Sequence, residues 1–270
     1  MTELAKRTFT IFLLLSFLST LYIFGNNTAF ILFIFILSIY SLYEWVTITS
    51  NHIAIIPIFT IFCLLLYYFD SINVYYLSII TLVTWIIIIY SMFFLREQFK
   101  LFVKKYFIVI GLFIFSSFLF LLLNMYPYDD AIKHNNNIVD NKHYFLFLIT
   151  LTSSIDIFAY ISGRTFGKNK SITTISPNKT LEGYLGSYFF TVLFFILFFN
   201  TYNLVWTFLD LFYLTTFVLL AFSGDLFMSF IKRIYNKKDS GNILPGHGGI
   251  LDRLDSYFPT LPLYYLWLMT

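Results

Sequence analysis

The sequence predicts an all-α, polytopic integral membrane protein with about nine transmembrane helices and a cytosolic N-terminus. Three observations carry that expectation. Hydrophobic residues make up 59% of the 270 residues and charged residues only 11%, where a soluble domain carries about a quarter charged. The apolar residues form runs approaching the roughly 20 needed to cross a bilayer. The basic residues, finally, collect on one side of the alternating topology that those runs define.

The runs lie near residues 8–24, 28–46, 53–69, 73–95, 106–124, 143–162, 184–200, 204–222 and 257–269, the third and the last being the weakest. Lipid offers no partners to backbone N–H and C=O groups, so runs of this length favour helices. A β-barrel would instead alternate over segments of about ten residues, a pattern not seen here. Lys6 and Arg7 precede the first run as in a signal peptide, but no small-residue cleavage site follows. The run is therefore read as a retained first helix. Cys63 is the only cysteine and excludes an intramolecular disulfide.

Placing the loops on alternate sides assigns 15 of the 17 basic residues to one side and only Lys133 and Lys142 to the other. The positive-inside rule makes the basic side cytosolic. A basic face beside lipid attracts anionic headgroups or nucleotides, although the insertion bias alone accounts for Lys100, Lys104 and Lys105. The chain reads as a single membrane domain, 1–270. Residues 1–142 carry helices one to five and a polar external loop, and 143–270 carry helices six to nine with their cytosolic loops. His134 and His143 have no partners at metal-ligand spacing.

Polar residues gather in two cytosolic regions, 156–183 and 223–256, which hold eight of the 11 glycines. Three acidic residues sit in or at the edge of spanning segments: Glu44, Asp156 and Asp225. Such carboxylates are costly and mark function. Asp225, Ser229 and Lys232 fall on one helix face, as do Asp156, Tyr160 and Gly163, while Asp252 and Asp255 are separated by one turn. Carboxylates converging at a membrane edge suit Mg²⁺, which takes one or two of them together with substrate phosphates. Spacing alone fits equally well a set of interfacial ion pairs, for example Asp225 with Lys232. The stretch Pro245-Gly246-His247-Gly248-Gly249 can form a phosphate-binding nest or a plain connector. His247 reads equally as a substrate contact and as a turn residue. Ser176, Lys179, Thr180 and Glu182 form a polar turn into the seventh helix, either an anion site at a helix N-terminus or an ordinary cap.

These residues resemble a known family. Ser229, Lys232-Arg233, Lys238-Asp239, Pro245 to Gly249 and Asp252-Arg253-Leu254-Asp255 look like the signature of the phosphatidate cytidylyltransferases, or CDP-diacylglycerol synthases. Asp156, Ala159-Tyr160, Gly163 and Gly167-Lys168 resemble a second block. Ser176-Pro177, Lys179-Thr180 and Glu182-Gly183 resemble a third, and Tyr43-Glu44-Trp45 resembles an aromatic–Glu–aromatic site. Ile157 and Phe158 are bulkier than the residues common there in bacterial members.

The resemblance implies transfer of the cytidylyl group of CTP to phosphatidate, giving CDP-diacylglycerol and pyrophosphate in phospholipid biosynthesis. It implies a cytosolic active site and Mg²⁺, with room for a second cation. Asp225 and Asp252 are then the expected metal ligands, with Asp156 and Asp255 as further ligands or supporting groups. Lys232, Arg233, Lys238 and Arg253 are expected on phosphates, with His247 placed among the catalytic residues. The expected substrate and nucleotide contacts are Asp156, Tyr160, Ser176, Lys179, Thr180, Glu182, Ser229, Gly246, Gly248 and Gly249. The expected partners are CTP, phosphatidate and membrane lipids, with no nucleic acid and with a homodimer as one assembly to consider. Two alternatives stand beside this reading: a CTP transferase acting on another lipid phosphate, and a cation or proton transporter, for which intramembrane carboxylates are also typical.

Overall fold

The structure is a computed structural model that describes residues 27–49, 56, 59–61, 63, 73–125, 132–134, 137–139, 141–170, 176, 179–241, 243 and 248–269. The first expected helix, 8–24, and most of the third, 53–69, lie outside the described residues, as do Gly246 and His247.

Among the described residues the elements run α1 (Asn27–Thr49), α2 (Val74–Phe94), α3 (Arg96–Met125), β1 (Ile132–His134), β2 (Asn137–Val139), α4 (Asn141–Phe166), α5 (Leu181–Thr201), α6 (Phe208–Ile234), α7 (Leu251–Leu254) and α8 (Tyr257–Leu268). Six of these helices are long and apolar enough to cross a membrane. The two strands pair as a small antiparallel hairpin within the polar loop. The expected helix at 106–124 belongs to a longer element, α3, in which Tyr106 takes φ −113° and ψ 20° and kinks the chain. The basic segment before the kink thus turns away from the apolar segment after it.

Helix α6 is the central element: its span is 72% buried within the protein, against 22% for the span of α2. Its first turn is closed by a capping box. Asp210 accepts from the Thr207 backbone N–H at 2.7 Å, and Thr207 Oγ1 accepts from the Asp210 N–H at 3.4 Å. The other oxygen of Asp210 accepts from Trp267 Nε1 at 2.8 Å, which satisfies a carboxylate that is only 3% exposed. A buried charge would otherwise be costly.

The ninth expected run forms α8, a buried helix of 12 residues containing Pro262. At about 1.5 Å per residue it is roughly 18 Å long, shorter than a typical span. It nonetheless runs antiparallel to α6, from the level of Gly224 to the level of Asp210. Gly224 makes this possible, because a Cβ there would collide with the Asp255 carbonyl and the Pro259 ring. Tyr257 Oη donates to the Ile149 carbonyl at 3.2 Å, and Tyr264 Oη donates to the Tyr144 carbonyl at 2.6 Å, so α8 is also bound to α4.

Helices α4 and α5 form a close hairpin. Gly163 and Gly183 meet backbone to backbone, and Gly186 leaves room for Ser162. Small residues allow this close approach in membrane helices. The C-terminal ends of α1, α4 and α6, the N-terminal end of α5 and the start of α8 therefore lie together at one end of the bundle. This end carries Lys168, Lys179, Lys232 and Arg253, all members of the larger basic set read from the sequence.

Replacing Gly224 with Ala is expected to overpack the α6–α8 contact and destabilise the protein by about 1–3 kcal/mol. A lowered thermal midpoint of the purified protein in detergent is the measurement that checks it.

Candidate active site

One cavity of about 560 Å³ opens at this end of the bundle, well within the size range of ligand pockets. Four stretches of the chain line it, the turn before α5 and the start of α5 counting as one. Helix α4 contributes Asp156, Ala159, Tyr160, Gly163 and Arg164, and the turn before α5 contributes Ser176, Lys179 and Thr180. Helix α5 adds Gly183 and Tyr184, helix α6 adds Phe222 and Asp225, and the α7 region adds Asp252, Arg253 and Asp255. The α4 residues fall at i, i+3, i+4, i+7 and i+8, a single helix face.

The charges in the cavity are paired, but not in the way spacing suggested. Asp225 forms an ion pair with Lys179, and Lys232 pairs with Asp252 at 2.7 Å. The expected Asp225–Lys232 pair along α6 is replaced by two pairs that each join α6 to another segment. Ser229 Oγ donates to the free side of Asp225 at 3.4 Å. The second oxygen of Asp252 accepts from the backbone N–H groups of Ser240 at 3.0 Å and Gly249 at 3.2 Å. Gly248 has φ +81°, a left-handed conformation that suits glycine, and a Cβ there would crowd Asp252. Asp156 interacts electrostatically with both Lys179 and Arg253.

Burial pushes the Lys179 ammonium below its usual range, while Asp156 and Asp255 pull it back up and Lys232 adds to the fall. Burial likewise pushes the Asp255 carboxyl up to about 7, with Asp156 reinforcing the rise and Lys232 and Lys179 opposing it. Its Oδ1 accepts from the Ser256 N–H at 2.8 Å.

Nine of the residues expected from the sequence line the cavity: Asp156, Tyr160, Ser176, Lys179, Thr180, Asp225, Asp252, Arg253 and Asp255. Lys232, Ser229 and Gly249 reach it through their bonds to Asp252 and Asp225, and Gly248 lies against Asp252. Thr180 has a second role, since its Oγ1 accepts from the Gly183 N–H at 3.2 Å and caps α5. Three residues are placed elsewhere. Glu182 turns to the α4–α5 connection, where it accepts from the Asn169 N–H and from Asn169 Nδ2 at 2.8 Å. Arg233 is exposed, turned about 100° around the helix from Lys232. Lys238 is exposed on the loop. Arg164 was missed, although its position four residues after Tyr160 places it on the Asp156 face.

The donor set is of hard oxygens, which suits a divalent cation of the Mg²⁺ type. Among the described residues, no three or more His, Cys, Asp or Glu side chains stand close enough to hold a metal by themselves.

Fold and site together define a class: a polytopic membrane protein with a charge-lined cavity at one end of its bundle. The chain belongs to the cytidylyltransferase family, whose profile matches residues 5–270. A protein of Staphylococcus haemolyticus (strain JCSC1435) named phosphatidate cytidylyltransferase is 44% identical over 135 residues, 48% of this chain and 50% of that relative. The protein of the same name from Staphylococcus aureus (strain COL) is 42% identical over 135 residues, with the same coverage. A third, from Staphylococcus epidermidis (strain ATCC 35984), is also 42% identical over 135 residues. The chain spans about half the length of the curated relatives it matches.

An acid with a raised folded value holds its proton more tightly when folded. Asp255 therefore leaves stability intact below the unfolded value near 3.9, lowers it progressively as pH rises from there to its folded value of about 7, and causes no further loss above it. Asp255→Asn abolishes that loss. In EDTA-treated protein, the thermal midpoint of the variant relative to wild type is expected to rise between about pH 4 and about pH 7 and to level off above that, as measured by thermal unfolding in detergent.

Proposed function

We propose that the protein transfers the cytidylyl group of CTP to phosphatidate, producing CDP-diacylglycerol and pyrophosphate. The observation that carries this reading is the convergence of Asp156, Lys179, Asp225, Asp252, Arg253 and Asp255 from four chain segments on one cavity. Family membership and the names of the staphylococcal relatives support it. The basic residues at the cavity end support a cytosolic active site, where CTP is present, with the diacyl chains left in the bilayer.

An oxygen of the lipid phosphate attacks the α-phosphorus of CTP. A new P–O bond forms, and the bond from the α-phosphorus to the oxygen bridging the β-phosphate breaks. The electron pair leaves with pyrophosphate. The attacking phosphate is already ionised, so no strong general base is required. The task of the protein is to position two anions and offset their repulsion. Lys179, Lys232, Arg253 and Arg164 supply donors for phosphate oxygens. Lys179 and Lys232 are held in advance by Asp225 and Asp252, so little reorganisation is needed when charge develops.

Formal charge points to a cation as well. Arg164, Lys179, Lys232 and Arg253 face Asp156, Asp225, Asp252 and an Asp255 carboxyl that burial keeps partly protonated near neutral pH, which leaves little net positive charge to offset an incoming triphosphate and phosphomonoester. Mg²⁺, when bound by Asp225 and Asp252 with phosphate oxygens, supplies that charge and polarises the phosphoryl group. Asp156 and Asp255 would complete or support this set.

The test is CTP-dependent product formation by the purified protein with Mg²⁺ and a panel of lipid phosphates. Product with phosphatidate is expected, whereas product only with another lipid phosphate would move the assignment to a related transferase. Ion flux in liposomes without turnover would make the protein a transporter. Asp225→Asn and Asp252→Asn are each expected to lower kcat on the order of 10²-fold or more. Full activity in both variants would remove the metal assignment.

A further inference from the structure

Glu44, at the C-terminal end of α1, does not line the cavity. It is 1% exposed and accepts three hydrogen bonds: from Ser240 Oγ at 3.0 Å, from the Ile250 N–H at 3.1 Å and from the Leu251 N–H at 2.8 Å. These donors come from the same loop that holds Asp252. Ser240 bridges the two carboxylates, giving its backbone N–H to Asp252 Oδ2 and its hydroxyl to Glu44 Oε2. The successive amides divide in the same way, with Gly249 donating to Asp252 and Ile250 and Leu251 donating to Glu44.

The loop is shaped around Glu44. A Cβ at Gly241 would collide with Glu44 Oε1, and one at Gly249 would collide with Glu44 Oε2 and Ser240 Oγ. Helix α1 is itself fixed at this level. Trp45 is stacked on Phe107 with ring centroids 4.4 Å apart, and its Nε1 donates to the Phe107 carbonyl at 3.2 Å, just past the α3 kink. Lys237 Nζ donates to the Thr47 carbonyl at 2.6 Å and binds the start of the loop to the same helix end.

We infer that Glu44 is a positioning residue for the phosphate-transfer site: it fixes Ser240 and the Gly249–Leu251 stretch, and through the Ser240 and Gly249 amides it sets the orientation of Asp252 against Lys232. The role requires a carboxylate. Both Glu44 oxygens accept from N–H groups, and a carboxylate is an acceptor throughout. A glutamine has one acceptor oxygen, so its NH₂ faces either the Ile250 or the Leu251 N–H in whichever orientation it adopts. The conflict falls on the residues that lead into Asp252. The inference rests on the transferase reading for its kinetic consequence, but its structural consequence can be read without turnover.

The experiment compares wild type, Glu44→Gln and Ser240→Ala as full-length purified proteins. It measures kcat and KM for CTP and phosphatidate, amide hydrogen exchange, and the thermal midpoint. In Glu44→Gln, exchange is expected to rise in 240–252 and stay unchanged in α4 and α5. Its kcat should fall about 10–100-fold, as for other partners that orient functional groups, with KM for phosphatidate within about twofold. Ser240→Ala keeps the amide on Asp252 and loses only the hydroxyl on Glu44, so the same pattern is expected at a few-fold amplitude.

Unchanged exchange in 240–252, or kcat within about twofold of wild type, in Glu44→Gln would overturn the inference. Exchange raised across the whole bundle, with activity lost in proportion, would overturn it in favour of a purely structural role. If Glu44→Gln does not fold, Ser240→Ala decides by the same criteria. A wild-type protein inactive on every lipid phosphate would sink the transferase reading, leaving the exchange result to decide the loop geometry.

Discussion

The Lys232–Asp252 ion pair is the interaction on which the cavity end of this bundle depends. In a chain with so few charged residues, each carboxylate near the bilayer needs donors or it destabilises the fold. Asp252 meets that demand with both oxygens, one on the Lys232 ammonium and one on two backbone amides. The pair ties the end of α6 to a loop that Glu44 anchors separately to the end of α1. An isolated buried pair is weak evidence for stability, since desolvation can exceed the Coulombic gain. The amides that complete the Asp252 environment are what make it a defined geometry.

The opposite end of the bundle obeys the same constraint with a different solution. Asp210 is satisfied by its own capping box and by Trp267, so no cation is needed there. That bond fixes the far end of α8, while Gly224 and Pro259 fix its near end. Asp255, at the start of α8, is thereby carried to the cavity wall. The helix is short for a membrane span but long enough to set both levels at once. Its placement shows why a glycine is needed in α6 at this level: any side chain there would collide with the Asp255 carbonyl and the Pro259 ring.

Much of this site was legible in the sequence because helical spacing reports directly on shared faces. Asp156, Tyr160 and Gly163 were read onto one face of α4, and they line the cavity together. Asp225 and Ser229 were read onto one face of α6, and they are in contact. Pairing across segments was not legible in the same way. Spacing offered Lys232 as the partner of Asp225, but Lys179, which comes from a connecting turn, takes that place and leaves Lys232 to Asp252. Glu44 was visible as an acid at a helix end, yet its three donors lie some two hundred residues away in sequence, so no local pattern could disclose them. The two-stranded hairpin was not legible because its strands are three residues each, too short for an alternating pattern to show. Arg233 shares its composition signal with Lys232, and only the turn of the helix separates their surroundings.

The two paired lysines also limit how the cavity can respond to an anionic ligand. Lys179 and Lys232 each hold a carboxylate before any phosphate arrives, so a phosphate oxygen competes with a carboxylate for the same ammonium. An ammonium has three donors, and it can keep its carboxylate while turning a second N–H to the ligand. Sharing is therefore cheaper than exchange, and it preserves the geometry that the loop and α6 establish. It also leaves the carboxylates partly uncompensated as ligand charge enters. A divalent cation placed among carboxylate and phosphate oxygens would relieve that excess directly. The ion pairs of the ligand-free bundle thus set the electrostatic demand that any multivalent anion entering the cavity meets.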